Sequence, residues 1–344
     1  MTSRPRPTLE AVAALAGVGR GTVSRVINGS PKVSSEAREA VLRAIDELGY
    51  VPNRAARTLV TRRTDTVALF VSESEERVFG EPYFAGIIRG ISTGLGDTGL
   101  QLLLVVAQSE DEHARFERYL TGQHVDGVLL ISLHEGDPLP RHLEESGVPT
   151  VLGGAPTGVV PVACVDADNR GGSRTAVEHL IAVGRRRIGT ITGPQDMGVG
   201  VDRLEGYRDA LSAAGLTGPV AYGDFSEESG ERGMRELLAR EPRLDAVFAA
   251  SDPMAFGAMR VLKQLGRRIP DDVALVGFDD SSTARHSDPP LTSVHQPLEA
   301  MGREMARLLV ARIRGEEIEQ PVVILDTHLV ARESSLGGAK SGAH

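Results

Sequence analysis

Apolar residues recur at helical spacing in three segments of the first fifty positions. Leu9, Val12, Ala13 and Ala16 share one face of a first short helix, and Thr8 stands where an N-cap belongs. Gly17 follows, at the point where a left-handed turn costs least in a residue without Cβ. Val23, Val26 and Ile27 form the apolar stripe of a second helix, with Arg20, Gly21, Ser24 and Arg25 opposite. A third amphipathic segment runs from about Ser34 to Leu48, with Val41, Ala44, Ile45 and Leu48 turned inward. The pattern predicts three small helices, the first two joined by a tight turn.

From Thr66 the pattern changes to an alternation of apolar runs and helical periods. Strands are predicted at Thr66–Val71, Leu100–Val106, Val128–Ser132, Thr150–Leu152, Ala163–Val165, Arg187–Thr192, Ala246–Ala249, Val273–Phe278 and Leu291–His295. Many are uninterrupted apolar runs, which suits parallel strands covered on both faces. Helices are predicted between them at Tyr83–Leu95, Glu110–Gly122, Gly171–Val183, Arg203–Ala214, Glu228–Arg240, Asp252–Leu265 and Leu298–Arg314. The fold class is doubly wound α/β. So long a stretch exceeds one sheet, so two lobes with a cleft between them are expected, and strand-end loops would bind ligand there.

Charge alters this picture. The chain of 344 residues has a net charge of −9, yet residues 1–64 hold eleven Lys or Arg against five acids and are +6. The remainder is therefore −15. A cationic head on an anionic body fits a helix-turn-helix reader of the major groove joined to a separate domain. An ordinary helical hairpin with solvated arginines is the competing reading. A single cysteine, Cys164, lies in an apolar run and reads as a buried thiol, which leaves no internal disulfide and points to the cytoplasm. No apolar run reaches the length of a membrane span. The segment Pro52–Val60 suits a helix of about two turns, too short to be stable alone. A flexible connector is the alternative.

At this point the sequence resembles the LacI/GalR family of bacterial transcriptional repressors over nearly its whole length. The motifs that carry the resemblance in the head are Ala16-Gly17-Val18, Thr22-Val23-Ser24-Arg25-Val26-Ile27-Asn28 and Gly49-Tyr50-Val51-Pro52-Asn53. In the body they are Gly206-Tyr207 after Arg203, the run from Asp272 to Asp280, the run from Pro289 to Pro297, and Leu329-Val330-Ala331-Arg332-Glu333-Ser334. The resemblance implies a homodimer whose two-lobed, periplasmic-binding-protein-like (type I) body senses a small molecule that alters affinity for operator DNA. It implies a DNA-binding domain over residues 1–50 and a hinge helix and linker over 51–65. One lobe would take 66–165 and 295–321, the other 166–294 and 322–333, with crossings near 166, 294 and 322. Residues 334–344 would be a disordered tail, and with no leucine heptad there a dimer is expected. The head and the stretch from Arg77 to Phe84 are similar to the cello-oligosaccharide-responsive repressors of actinobacteria. A small carbohydrate, cellobiose or a short relative of it, is then the implied effector.

Within that family the start of the second helix reads bases, which implies Arg20, Gly21 and Arg25 here. An arginine fork matches guanine O6 and N7, and Gly21 offers no side chain, so Arg20 should dominate on a G/C-rich palindrome. Thr22, Ser24 and Asn28 are expected on phosphates, with Thr8 at the first helix start. Asn53, Arg54 and Ala56 belong to the hinge, and Leu59 is its minor-groove wedge. For the effector, Asp279 directly follows an apolar strand and should enter the cleft, and Ser251 and Asp252 end another strand. A turn or helix cap is the competing role for each acid. The resemblance adds Arg203 as the ligand arginine, Gln296 at a lobe crossing and Phe225 as the cleft aromatic. Tyr83 and Phe84 are further aromatic candidates that could instead pack core.

An enzyme is the first rival. Gly90-Ile91-Ser92-Thr93-Gly94 fits the nucleophile-elbow string but falls inside a predicted helix, whereas that motif needs a preceding strand. The nine histidines show no metal spacing, and no cofactor is implied. An exported sugar-binding protein would need a signal and no basic head. A purine-dependent corepressor response remains an alternative within the regulators.

Overall fold

The computed structural model describes residues 7–27, 30–50, 63–154 and 163–336. Asn28, Asn53, Arg54, Ala56 and Leu59, and with them the predicted hinge helix, lie outside the described residues. The chain divides into two compact units after Thr64.

The first unit holds α1 (Leu9–Ala16), α2 (Arg20–Ile27) and α3 (Ser35–Leu48). Thr8 caps α1 by accepting the Ala11 amide at 3.3 Å, and Gly17 ends it at φ +65°. Ser34 caps α3 in the same way. Val12, Val23, Val26, Val41 and Ala44 form a small core closed by Tyr50, with Leu9, Ile45 and Leu48 packed at its margin.

The second unit carries two six-stranded sheets. The first is ordered β11-β5-β4-β3-β1-β2, with β1 Thr66–Val71, β2 Gln101–Val106, β3 Gly127–Ile131, β4 Thr150–Gly153, β5 Cys164–Ala167 and β11 Val322–Leu325. The second is ordered β12-β10-β9-β8-β6-β7, with β6 Ile188–Thr192, β7 Val220–Tyr222, β8 Ala246–Ala249, β9 Ala274–Asp279, β10 Thr292–His295 and β12 His328–Val330. All pairings are parallel except β10 with β12. Around them lie α4 (Glu75–Gly80), α5 (Pro82–Leu95), α6 (Glu110–Thr121), α7 (Leu139–Glu145), α8 (Asn169–Ala182), α9 (Gly198–Ala213), α10 (Glu227–Arg240), α11 (Asp252–Gln264) and α12 (Leu298–Arg314).

The uninterrupted apolar runs are explained by cover on both faces. In β1, Val67, Leu69 and Val71 join the layer of Ile87, Ile91, Met305 and Leu309, while Ala68 and Phe70 join Leu120, Leu139 and Leu143 on the other side. Cys164 is buried on β5, and burial pushes its thiol up to about 12.

The chain passes between the sheets after β5, after β10 and after β11. The last passage corrects the expectation that residues from 322 belong to the second lobe. Val322–Leu325 pairs with Cys164–Ala167 in the first sheet, and the crossing falls at Asp326 and Thr327. As an edge strand it leaves Val322 and Ile324 exposed.

The elbow-like string sits inside α5 and has a packing role. Gly86, Gly90 and Gly94 recur every four residues against α12, where a Cβ at Gly90 would run into the Glu299 carbonyl and one at Gly94 would meet the Ala306 Cβ at 2.8 Å. Gly302 answers from α12, its missing Cβ leaving room for the Ile87 carbonyl. Gly90→Ala should therefore destabilise the body by about 1–3 kcal/mol, read as a lowered midpoint in urea unfolding.

Candidate functional site

In the head, α2 separates two jobs. Val23 and Val26 are buried in the three-helix core, whereas Arg20, Gly21 and Arg25 are exposed. The Arg20 guanidinium meets Glu10 of α1 at 3.0 Å, but both side chains are more than half exposed, so the pair is weak and readily exchanged. A Cβ at Gly21 would touch nothing within 4 Å, so packing inside the head does not demand glycine there. Thr22 and Ser24 are half-buried beside them. Thr8 spends its hydroxyl on the α1 cap.

The body contains a cavity of about 1150 Å³ between the two sheets, walled by loops at the C-terminal ends of the parallel strands. Of the expected effector residues, Tyr83, Phe84, Arg203, Phe225, Ser251, Asp279 and Gln296 border it.

Asp279 ends β9 with φ +111°, and Asp280 follows at φ +49°. Such backbone is strained by about 1–3 kcal/mol per residue and persists only when its surroundings over-determine it. They do so here. Asp252 accepts the Ser281 amide at 2.7 Å and the Ser293 hydroxyl at 2.6 Å, and that hydroxyl accepts the Asp280 amide at 3.0 Å. The Asp280 carboxylate is held by Arg332 at 2.6 Å and by His295 at 3.1 Å. Asp252 is thus fully buried behind the wall and does not border the cavity, contrary to the expectation for it. Its carboxylate braces the turn that presents Asp279.

Arg203 on α9 is 4% exposed and lies over the Phe278 ring at 3.7 Å. It donates from Nε to Asn169 Oδ1 at 2.9 Å and from Nη1 to the Ala250 carbonyl at 2.5 Å, and Nη1 is 3.6 Å from Asp279 Oδ1. Gln296 donates to the same Asp279 oxygen at 2.6 Å. Asn169 in turn donates to Asp166 at 2.9 Å. A continuous polar chain therefore runs Asp166, Asn169, Arg203, Asp279, Gln296 across the cavity wall. Burial raises the Asp279 carboxyl above its ordinary value against the opposing pull of Arg203 and Gln296. Asp252 is raised by burial and by the Asp279 charge beside it.

Phe225 stands at φ +70°, its ring occupying the space that a Cβ on Gly193 would fill. Ser251 caps α11 and donates to the Phe225 carbonyl, so its hydroxyl is committed to structure. Phe84 is core, in edge-to-face contact with the half-buried Tyr83 at 5.1 Å. Asp166 and Asn169 were not among the residues expected. Asp166 follows an apolar run as Asp279 does, so the same rule identifies it. Beside the cavity the lobes also touch directly: the Glu135 amide donates to the Asp196 carbonyl at 2.6 Å, and His134 Nδ1 lies 2.8 Å from the Asp196 carboxylate.

Comparison with known proteins agrees with both parts. Residues 8–53 match the bacterial regulatory proteins of the lacI family, and residues 177–335 match a periplasmic binding protein-like domain. The HTH-type transcriptional regulator CelR of Thermobifida fusca is 62% identical over 339 residues, covering 97% of this chain and 100% of that protein. A solved transcriptional regulator CelR-cellobiose complex is 60% identical with a TM-score of 0.77, covering 96% of this chain and 100% of its own. The lac repressor dimer bound to operator and the anti-inducer ONPF is 26% identical with a TM-score of 0.85 over the same shares. With a basic three-helix head, a two-lobed cleft and a relative this similar end to end, the chain belongs to the LacI family of bacterial transcriptional regulators.

Proposed function

We propose that this chain is a homodimeric repressor of sugar-use genes that binds a G/C-rich palindromic operator through its head and releases it when cellobiose, or a short cello-oligosaccharide, occupies the cleft. The observation that carries the effector half is the Arg203–Asp279–Gln296 arrangement on the cavity wall. A cationic donor and a carboxylate side by side suit neighbouring hydroxyls on a sugar, and Arg203 and Asp279 lie together on this wall. Phe225 and Tyr83 border the same space and offer apolar faces to a pyranose ring. The cavity slightly exceeds the roughly 300–1,000 Å³ usual for small-molecule sites, room for more than one ring. The cellobiose bound to the similar CelR supports the same class of ligand.

For the operator half, Arg20 and Arg25 supply the base contacts, Thr22 and Ser24 the phosphate contacts, and residues 51–65 the hinge. Ligand affinity alone would change nothing at the operator. Release requires that sugar prefer one arrangement of the lobes, and couplings of this kind amount to about 1–3 kcal/mol.

Titration of operator-bound protein with cellobiose, cellotriose, glucose and hypoxanthine tests the reading. Cellobiose should release DNA, and tightening by hypoxanthine would replace sugar induction with purine corepression. Arg20→Ala should lower discrimination at a guanine by about 1–3 kcal/mol while leaving non-specific binding almost unchanged in a binding-site selection. Asp279→Asn should keep operator affinity yet resist release by cellobiose, measured by fluorescence anisotropy of labelled operator. Sugar hydroxyls donate to the ionised Asp279, whose carboxyl is raised by burial. Burial pushes that carboxyl up to about 6, so binding should expel a proton below that pH, and cellobiose affinity should rise with pH up to about 6 and level off above it in calorimetric titrations.

A further inference from the structure

The first two helices of the head carry a single acid. Leu9–Ala16 and Arg20–Ile27 hold the arginines Arg20 and Arg25 and one carboxylate, Glu10, while the other acids of residues 1–64 fall on α3. Glu10 is the second residue of α1 and Arg20 the first of α2. Glu10 Oε1 lies 3.0 Å from Arg20 Nη1, with both side chains open to solvent.

An anion at this place runs against the charge of the rest of the head. Duplex DNA repels it, whatever the sequence. The core does not call for it, since the inward face of α1 is made by Leu9, Val12, Ala13 and Ala16. A first-turn acid is favoured by the helix dipole wherever it points; what is particular here is that it points at Arg20. Its own amide, the Thr8 hydroxyl and Arg20 hold the carboxyl below its ordinary value, so it is ionised at neutral pH.

The major groove offers such an anion one class of partner. Its donors are the amino groups, N4 of cytosine and N6 of adenine, and adenine sets its N7 acceptor beside the donor. Cytosine alone presents a donor with no acceptor on the same base, whereas guanine and thymine edges repel a carboxylate. Arginine permits both contacts at once, because a guanidinium has more N–H donors than a guanine fork uses.

We infer that Glu10 is a further base-reading residue, accepting from N4 of a cytosine that adjoins the guanine forked by Arg20. The inference rests on the head reading a G/C-rich operator through Arg20, and it adds a reader on α1 to those proposed on α2. Part of the selectivity is then repulsive, since the same carboxylate disfavours every other base at that position.

Fluorescence anisotropy of the full-length protein and of Glu10→Ala tests it. The probes are the preferred palindrome, copies with each half-site position changed in turn, and random-sequence DNA. The guanine in question is the one at which Arg20→Ala loses discrimination. In the parent, replacing the adjoining cytosine should weaken binding by about fivefold to a hundredfold. In Glu10→Ala the same replacement should weaken it by less than about twofold. The guanine preference should survive in the variant, and random-sequence binding should persist or tighten because an anion has left the DNA face. Glu10→Gln, which keeps the size of the side chain, should relax the same position if alanine weakens the head. Equal losses at every position in parent and variant overturn the Glu10 reader alone. Loss of the guanine preference together with the cytosine preference makes Glu10 only a support for Arg20, and overturns it too. A parent that prefers no palindrome overturns the operator reading and the Glu10 reader together.

Discussion

The body is organised around one buried charge. Arg203 is removed from water, stacked on Phe278 and committed at two of its nitrogens to Asn169 and the Ala250 carbonyl. A guanidinium in that position needs an anion, and Asp279 supplies it only because its backbone is held in a conformation that an L-residue avoids. The supports of that conformation come from Ser293 on β10, from Asp252 at the start of α11 and from Arg332 near the end of the described chain. Removing one partner of such a pair leaves an uncompensated buried charge, which is why the surrounding bonds are short and numerous.

The two walls of the cavity are built differently. The second lobe presents Arg203 from α9 with Asp279 and Gln296 from the ends of β9 and β10, side chains already in contact with one another, a preorganised surface. The first lobe presents α4, whose one arginine, Arg77, is clamped between Glu73 and Glu81. Between them, the Glu135 and His134 contacts to Asp196 join the lobes beside the cavity, away from the three chain crossings. The lobes are thereby joined at more points than the crossings alone provide.

Much of this was legible in the residues. The continuous apolar runs announced β1, β3, β8 and β9, because parallel strands buried on both faces leave no polar alternation. Asp279 was legible as an acid at a strand end, and Asp166 follows the same logic. Three strands were not. β7 and β12 span three residues each, too few for any period, and β11 lies at an edge where burial alternates. α4 was hidden because Glu-Glu-Arg-Val-Phe-Gly has no apolar stripe, and its cap and anchor are single residues. Asp252 shows what spacing cannot decide: an acid after a strand can face the cavity or brace the turn behind it, and only the third dimension selects between them.

The glycine at position 21 has a different consequence. The head neither needs its conformational freedom nor fills the space where a side chain would stand. Selection on folding and selection on recognition therefore act separately at this one point of the outer face of α2. On the base-reading role proposed for α2, a larger residue there would change the contacts made with base pairs while the three-helix core stayed as it is, so a new target would not require an unstable intermediate.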